Sequence, residues 1–374
     1  MVSRTPAQIG MSLEDVDTPA LLIELDAFER NLKRLADAIA TTGVRFRPHA
    51  KTHRSPVIAL RQMVLGAVGV CCQTVGEAEA MVLGGVPDVL VSNQVVGSGK
   101  LARLAALARQ ARVGVCVDDA GNIAALGEAA ASFGVKLDVL VEIDVGSGRC
   151  GVAPGRPALD LAQRIDAAPA LRFAGLQAYH GSSQHIRDFV ERRQATQNAV
   201  DLTADTVALL KDHGLECETI GGAGTGTFLS EAESGHYNEL QAGSYIFMDA
   251  DYGRNQKEDG TPFDDFENAL FVYTTVISQA KPGIAIVDAG LKAMSFDSGE
   301  PVVADTPEVS YFGPSDEHGR LNMKGSNTTF GVGDKVRLIP GHCDPTVNLH
   351  DWYVGIRNGR VESLWPVAGR GAHA

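Results

Sequence analysis

Apolar positions along this chain come in two spacings, and their alternation predicts most of its architecture. Ala20-Leu-Leu-Ile-Glu-Leu25 has the length and composition of a strand. Asp26 can then cap a helix running to about Ala40, with Phe28, Leu32, Leu35 and Ile39 on one face. From there β-rich runs recur at Val44–Pro48, Ala67–Cys72, Asp88–Ser92, Arg112–Val117, Leu137–Val145, Phe173–Tyr179, Glu216–Gly221 and Tyr237–Gln241. Ala- and Leu-rich stretches of helical length separate them, among them Gly76–Leu83, Lys100–Arg109, Gly121–Ala131, Ala158–Ala167 and Ala195–His213. Strand then helix, repeated in this way, predicts an α/β fold, either a closed parallel barrel or a doubly wound sheet. Residues with functional groups end nearly every strand, whereas a doubly wound sheet gathers them at one switch point, so the expectation is a (β/α)8 barrel.

Near Gly253 the pattern changes. Asn268–Ser278, Ile284–Asp288, Pro301–Val303, Val309–Phe312, Lys335–Pro340, Trp352–Ile356 and Arg360–Trp365 are strand-like and separated by turn residues. The expected division is a barrel over residues 20–255 and an all-β domain over 256–374 joined by 1–19, with polar Arg254–Phe263 as the linker or an exposed loop.

Composition narrows the function. Of 374 residues, 44 % are hydrophobic and 21 % charged, as in an ordinary water-soluble domain, and the net charge of -13 argues against a nucleic-acid or anionic-membrane surface. Met1–Gly10 holds no apolar signal-peptide core and no later run approaches a membrane span, so a cytoplasmic protein is expected. The cysteines at 71, 72, 116, 150, 217 and 343 form no CxxC pair, and disulfides are not expected. Cys72, Cys116 and Cys217 sit in strand-like runs and read as core residues.

Four stretches carry candidate chemistry. In Arg45-Phe-Arg-Pro-His-Ala-Lys-Thr-His53, Lys51 falls just past a strand end, between His49 and His53. Flanked by two potential cations and partly desolvated, it should lose basicity, which suits an amine that forms a Schiff base; a surface lysine is the plain alternative. Ile220-Gly-Gly-Ala-Gly-Thr-Gly-Thr227 follows the seventh barrel strand and Gln241-Ala-Gly-Ser-Tyr245 the eighth, where barrels commonly seat a phosphate. Glycine backbone N–H groups, with the hydroxyls of Thr225, Thr227, Ser244 and Tyr245, would serve as donors. Arg149 lies between tight glycine turns in Val145-Gly-Ser-Gly-Arg-Cys-Gly151. Tyr179 ends a strand, where it can meet a planar ring or equally be a core tyrosine. In Gly341-His-Cys-Asp-Pro-Thr346, an extended backbone would point His342 and Asp344 the same way with Cys343 opposed. Imidazole plus carboxylate suits Mn2+ or Mg2+ completed by water; an ordinary turn is the alternative. No GxSxG supports a hydrolase.

Taken together, these stretches are similar to those of a known family. The chain resembles the D-threonine aldolase and D-serine dehydratase family of pyridoxal-phosphate enzymes, of alanine-racemase-type fold. The likeness rests on Asp17-Thr-Pro19, Arg47–His53, Gly69-Val-Cys-Cys-Gln73, Glu142–Gly151, Gln177-Ala-Tyr-His-Gly181, the glycines of 221–226, Gly243–Tyr252, Val287–Lys292, Ser315–Gly319 and Gly341–Thr346. The resemblance implies that Lys51 is the Schiff-base lysine, and that Gly224, Thr225, Gly226, Ser244 and Tyr245 hold the cofactor phosphate. It implies that Arg149 and Tyr179 contact the pyridine ring, that Gln73 belongs to the cofactor site, and that His342 and Asp344 bind a divalent metal. His49, His53 and His180 are the candidates for proton transfer. A homodimer paired head to tail is expected. In the dehydratases of this group a cysteine stands where Asp344 does here, with zinc bound. Asp344 therefore favours a retro-aldol lyase acting on D-β-hydroxy-α-amino acids, with Mn2+ or Mg2+ preferred over Zn2+. Dehydration to a keto acid and ammonia, and a non-catalytic pyridoxal-phosphate carrier, are the alternatives.

Overall fold

Strand β1 (Ala20–Glu24) runs straight into helix α1 (Leu25–Ala40) in the computed structural model, which describes residues 5–374. Eight parallel strands follow: β2 (Arg45–Phe46), β3 (Val70–Cys72), β4 (Asp88–Gln94), β5 (Arg112–Val117), β6 (Leu137–Glu142), β7 (Leu171–Gln177), β8 (Thr219–Gly222) and β9 (Glu239–Leu240). They neighbour one another in the order β2-β9-β8-β7-β6-β5-β4-β3. A parallel bridge between His49 and Cys71 closes the ring, with Val68 N–H bonded to Phe46 O at 2.8 Å and Cys71 N–H to Pro48 O at 2.9 Å. The barrel read from the sequence is present.

The intervening helices start where the chain supplies a cap. Thr74 accepts from Glu77 N–H at the head of α3 (Val75–Leu83), Asp119 from Asn122 N–H at α5 (Ala120–Phe133), and Asp188 from Glu191 N–H at α7 (Phe189–Asp212). At the barrel mouth where the strands begin, Arg47 is 7 % exposed and bonds Glu239 at 2.9 Å and Asp88 at 2.6 Å, so that end is plugged by charge pairs.

Residues beyond β9 build a second sheet from β10 (Leu270–Lys281), β11 (Ile284–Val287), β12 (Val302–Val303), β13 (Ser310–Phe312), β14 (Gly319–Asn322), β15 (Lys335–Ile339), β16 (Trp352–Arg357) and β17 (Arg360–Pro366). Strand β10 is long enough to pair with β15 through one half and with β11 through the other. The series β11-β14-β13-β12-β15-β10 therefore closes on itself. The sheet continues through β1, β16 and β17.

This corrects the expected domain boundary at residue 20. Strand β1 pairs with β10 and β16, so Ala20–Glu24 belongs to the β domain and the barrel's first strand is β2. The sequence could not distinguish the two, because Ala20–Ile23 is buried on both faces and shows no alternation to name its sheet. Residues 254–263 form an irregular loop as read, though Asn255 within it is fully buried. Among the described residues no helix is long and apolar enough to cross a membrane.

Candidate active site

The chain leaves β2 at Pro48, and His49 turns it into a single 3-10 turn, Ala50–Thr52, by accepting Lys51 N–H on Nδ1. Lys51 then extends toward the β domain, where its Nζ lies 2.9 Å from Asp344 Oδ2. The basicity expected for Lys51 is thereby reversed. Asp344's charge raises it well above the ordinary lysine value, outweighing burial. The flanking histidines are not cations: burial, reinforced by Lys51, pushes His49 far below its usual value, and burial takes His53 down to about 4. Nε2 of His49 lies 3.2 Å from Ser92 Oγ and 2.8 Å from the Gln73 amide nitrogen.

A cavity of about 320 Å3 opens at the barrel mouth where the strands end. Lys51, Gln73, Arg149, Tyr179, Gly224, Thr225, Ser244, His342 and Asp344 all line it. At one end, the loop after β8 packs on Gln184 and the loop after β9 on Thr52, so closely that side chains would not fit. A Cβ on Gly224 would lie 2.5 Å from Gln184, and one on Gly243 2.6 Å from Thr52 Oγ1. Thr225 is 1 % exposed there and its hydroxyl has no partner, as suits a donor waiting for an anion's oxygen. These residues fit a phosphate.

Arg149 reaches the cavity from a loop pinned at several points. Asp144 accepts N–H bonds from Gly146 and Gly148 at 3.0 Å, and Asp118 accepts one from Gly151 at 3.0 Å. Ser147 Oγ joins this loop to the next, donating to Tyr179 O at 3.1 Å and accepting from Gly181 N–H at 2.8 Å. The guanidinium stands 6.0 Å from the centre of the Tyr179 ring.

Four expected site residues do not line the cavity. His53 is sealed beneath it, fully buried, with Nδ1 accepting from Ser55 N–H. The Tyr245 hydroxyl is turned into the core, accepting from Gln62 Nε2 at 3.0 Å while its ring packs on Phe46 and Phe266, so only its main chain remains for a phosphate. Gly226 has spent its N–H on Gln184 Oε1 at 2.9 Å. The His180 ring packs against Gly146, so closely that a Cβ there would lie 2.7 Å from Nε2.

A histidine not expected at the site, His185, lines the cavity along with His49 and His342, its Nδ1 2.6 Å from Asp251 Oδ2. It follows His180 by one 3-10 turn, Ser182–His185, in a polar segment whose sequence offers no periodicity to show which imidazole faces inward.

From the β domain come His342 and Asp344. The extended backbone expected for this pair is not what forms: His342 is extended, but Cys343 begins helix α9 (Cys343–Val347), which carries Asp344. Cys343 does face away, buried, its thiol 3.2 Å from Met248 O. Burial opposes ionisation of Asp344, yet Lys51 and His342 together hold its carboxyl well below the usual range. Among the described residues no three or more His, Cys, Asp or Glu side chains converge as an ion's cage. An ion at His342 and Asp344 would therefore keep most of its coordination sphere for water or substrate. The donor set fits such an ion, since Asp344 Oδ1 is buried without a hydrogen-bond partner. A second cavity, of about 640 Å3, shares Lys51, Gln73, His342 and Asp344 with the first and opens toward Leu291, Ser295, Asn348 and Leu349. The lysine thus sits at the neck between the two.

The chain is similar to known proteins along nearly its whole length. The family model described as "Alanine racemase, N-terminal domain" matches residues 23–251, and the serine dehydratase domain model matches residues 269–356. The chain is 49 % identical over 370 residues to the 3-hydroxy-D-aspartate aldolase of Paracoccus denitrificans (strain Pd 1222), covering 98 % of this chain and 95 % of that protein. It is 46 % identical over 366 residues to the D-threonine aldolase of an Arthrobacter species, covering 98 % and 96 %. The crystal structure of D-threonine aldolase from Filomicrobium marinum superposes with a TM-score of 0.96 at 53 % identity, over 99 % of this chain and all of that one.

Proposed function

The chain belongs to the D-threonine and 3-hydroxy-D-aspartate aldolases of alanine-racemase-type fold, and from that membership we propose a pyridoxal-phosphate- and divalent-metal-dependent lyase that cleaves D-β-hydroxy-α-amino acids to glycine and an aldehyde. The observation that carries the reading is the meeting, at 2.9 Å, of a barrel lysine and a β-domain carboxylate beside an imidazole at the neck of the two cavities.

Gly224, Thr225, Gly243 and Ser244 would hold the cofactor's phosphate, with Arg149 and Tyr179 toward its ring, and Lys51 would supply the amine for its aldehyde. When bound, pyridoxal phosphate supplies an electron sink for the pair released as Cα–Cβ breaks. His342 and Asp344 would hold the divalent ion, which would supply Lewis acidity to the reaction. His185 takes the β-hydroxyl proton on Nε2, because Asp251 engages Nδ1 and turns the other nitrogen to the cavity. His49, neutral and bonded to Gln73 and Ser92, orients rather than transfers protons. The reading includes a cytoplasmic homodimer, in which a second copy covers Leu291 and Leu349, 46 % and 36 % exposed on the β-domain rim.

The serine dehydratase domain match over residues 269–356 favours dehydration as the second reading. One experiment separates them: incubation with a panel of D-β-hydroxy amino acids, with and without Mn2+, scored for glycine against ammonia. Glycine plus aldehyde, dependent on Mn2+, is the expected result; a keto acid and ammonia would overturn the aldolase reading.

A further inference from the structure

We propose that Asp297 is a positioning residue for ion binding: by holding Nδ1 of His342 it fixes the imidazole in the tautomer and orientation that present Nε2 as the ligand. The inference rests on the reading that His342 and Asp344 hold a divalent ion.

Asp297 Oδ2 lies 2.7 Å from His342 Nδ1. An ionised carboxylate only accepts, so Nδ1 bears the proton, and Nε2 of the neutral ring keeps its lone pair. Asp297 is itself held: Oδ1 accepts from Ser295 Oγ at 2.7 Å, and Oδ2 from Ser298 Oγ at 3.2 Å.

The loop carrying it is stitched to the turn carrying His342. Ser295 N–H donates to Thr346 Oγ1 at 3.1 Å, and Thr346 Oγ1 donates to His342 O at 2.8 Å. Gly299 and Gly341 touch so closely that a Cβ on Gly341 would lie 2.4 Å from Gly299 O. Arg254 Nη1 bonds Ser298 O at 2.9 Å from a third segment. All of this places one carboxylate against one ring nitrogen. With the two side chains 26 % and 48 % exposed, such a pair adds little to stability by itself, whereas orienting a ligand imidazole has a large effect on ion affinity.

The test uses the full-length protein loaded with pyridoxal phosphate, Mn2+ as the probe, and equilibrium dialysis with metal analysis on wild type, Asp297→Ala, Asp297→Asn and His342→Ala. The expected result is a weakening of Mn2+ binding by about 10–100-fold in Asp297→Ala. Asp297→Asn, whose amide oxygen still accepts from Nδ1–H, should weaken it less. Both should keep the cofactor's absorption band and the melting temperature, and both should regain turnover as Mn2+ is raised. Unchanged Mn2+ affinity in Asp297→Ala, with binding lost in His342→Ala, would overturn the role of Asp297 and leave the ion reading standing. Unchanged affinity in His342→Ala as well would overturn the ion reading itself. A lowered melting temperature or lost cofactor band in both Asp297 variants would make the residue structural and also defeat the proposal.

Discussion

Replacing Thr225 by valine exchanges a hydroxyl for a methyl of similar size at a site 1 % exposed, where Oγ1 has no partner. A buried hydroxyl without a partner costs on the order of 1–3 kcal/mol. In protein stripped of cofactor the valine removes that cost, so the variant should be the more stable. Unfolding entropy of about 2.1 cal/mol/K per residue, over 374 residues, is roughly 0.8 kcal/mol/K, so the gain is a melting temperature higher by about 1–4 °C. Loading with pyridoxal phosphate reverses the order. A hydrogen bond to a charged phosphate contributes about 1.5–3 kcal/mol, and without it cofactor affinity should fall by about 10–100-fold. The assay is thermal melting of both proteins with and without pyridoxal phosphate, beside a cofactor titration followed by absorbance. A variant that melts at or below wild type when stripped, or that binds cofactor equally well, would refute the assignment of this hydroxyl to the phosphate.

Lys51→Ala should lose the visible cofactor band and activity together; a variant that kept both would show that another amine holds the cofactor. His185→Gln should keep that band while kcat falls by about 100–10,000-fold, and an unchanged kcat would remove His185 from the proton path. Tyr245→Phe should leave cofactor affinity unchanged and cost about 1–2 kcal/mol in denaturant unfolding, because Gln62 Nε2 loses a buried partner; a large loss of affinity would return the hydroxyl to the phosphate. Glu231, 4 % exposed, has its carboxyl pushed up to about 8 by burial. Between about pH 4.5 and 8 the folded protein keeps a proton that the unfolded chain has released, so stability falls with rising pH by about 1.4 kcal/mol per unit from this group. Glu231→Gln should be the more stable at pH 7.5 and lose that advantage near pH 4, and parallel stability curves for the two proteins would contradict this.

The barrel was legible because parallel strands buried on both faces read as unbroken apolar runs between helical stretches, as in Arg112–Val117 and Leu137–Glu142. The same property hid where β1 belongs, since a strand without alternation carries no label for its sheet. At the site, residues tied to a backbone device were readable: the glycines of the loop after β8, and Arg149 between glycine turns. Pairings with partners far along the chain were not. Lys51 met its carboxylate 293 positions later, which no local window contains, and its basicity moved opposite to the local expectation. His185 pairs with Asp251 and His342 with Asp297, each partner lying outside any local window.

His53 shows what else that motif does. Its carbonyl accepts the Tyr353 hydroxyl at 2.7 Å, tying the turn that carries Lys51 to strand β16. Arg54, the next residue, bonds Glu77 at the head of α3 at 2.7 Å and Asn348, just past α9, at 2.8 Å. On the other side, Asp249 receives Cys343 N–H at 3.0 Å and Tyr252 N–H at 3.0 Å, anchoring the start of α9 to the segment that follows the phosphate loop. Asn31 of α1 completes the frame, donating to Ile246 O at 3.2 Å and Glu267 O at 2.8 Å. These bonds hold the barrel against the β domain around the lysine. A nitrogen borne by one and a carboxylate borne by the other can keep a working distance only if both supports are rigid, because a shift of about 1 Å in placement can cost two orders of magnitude in rate. The buried polar residues around Lys51 therefore act on the reaction through geometry, and a variant such as Tyr353→Phe should lower kcat without altering which products form.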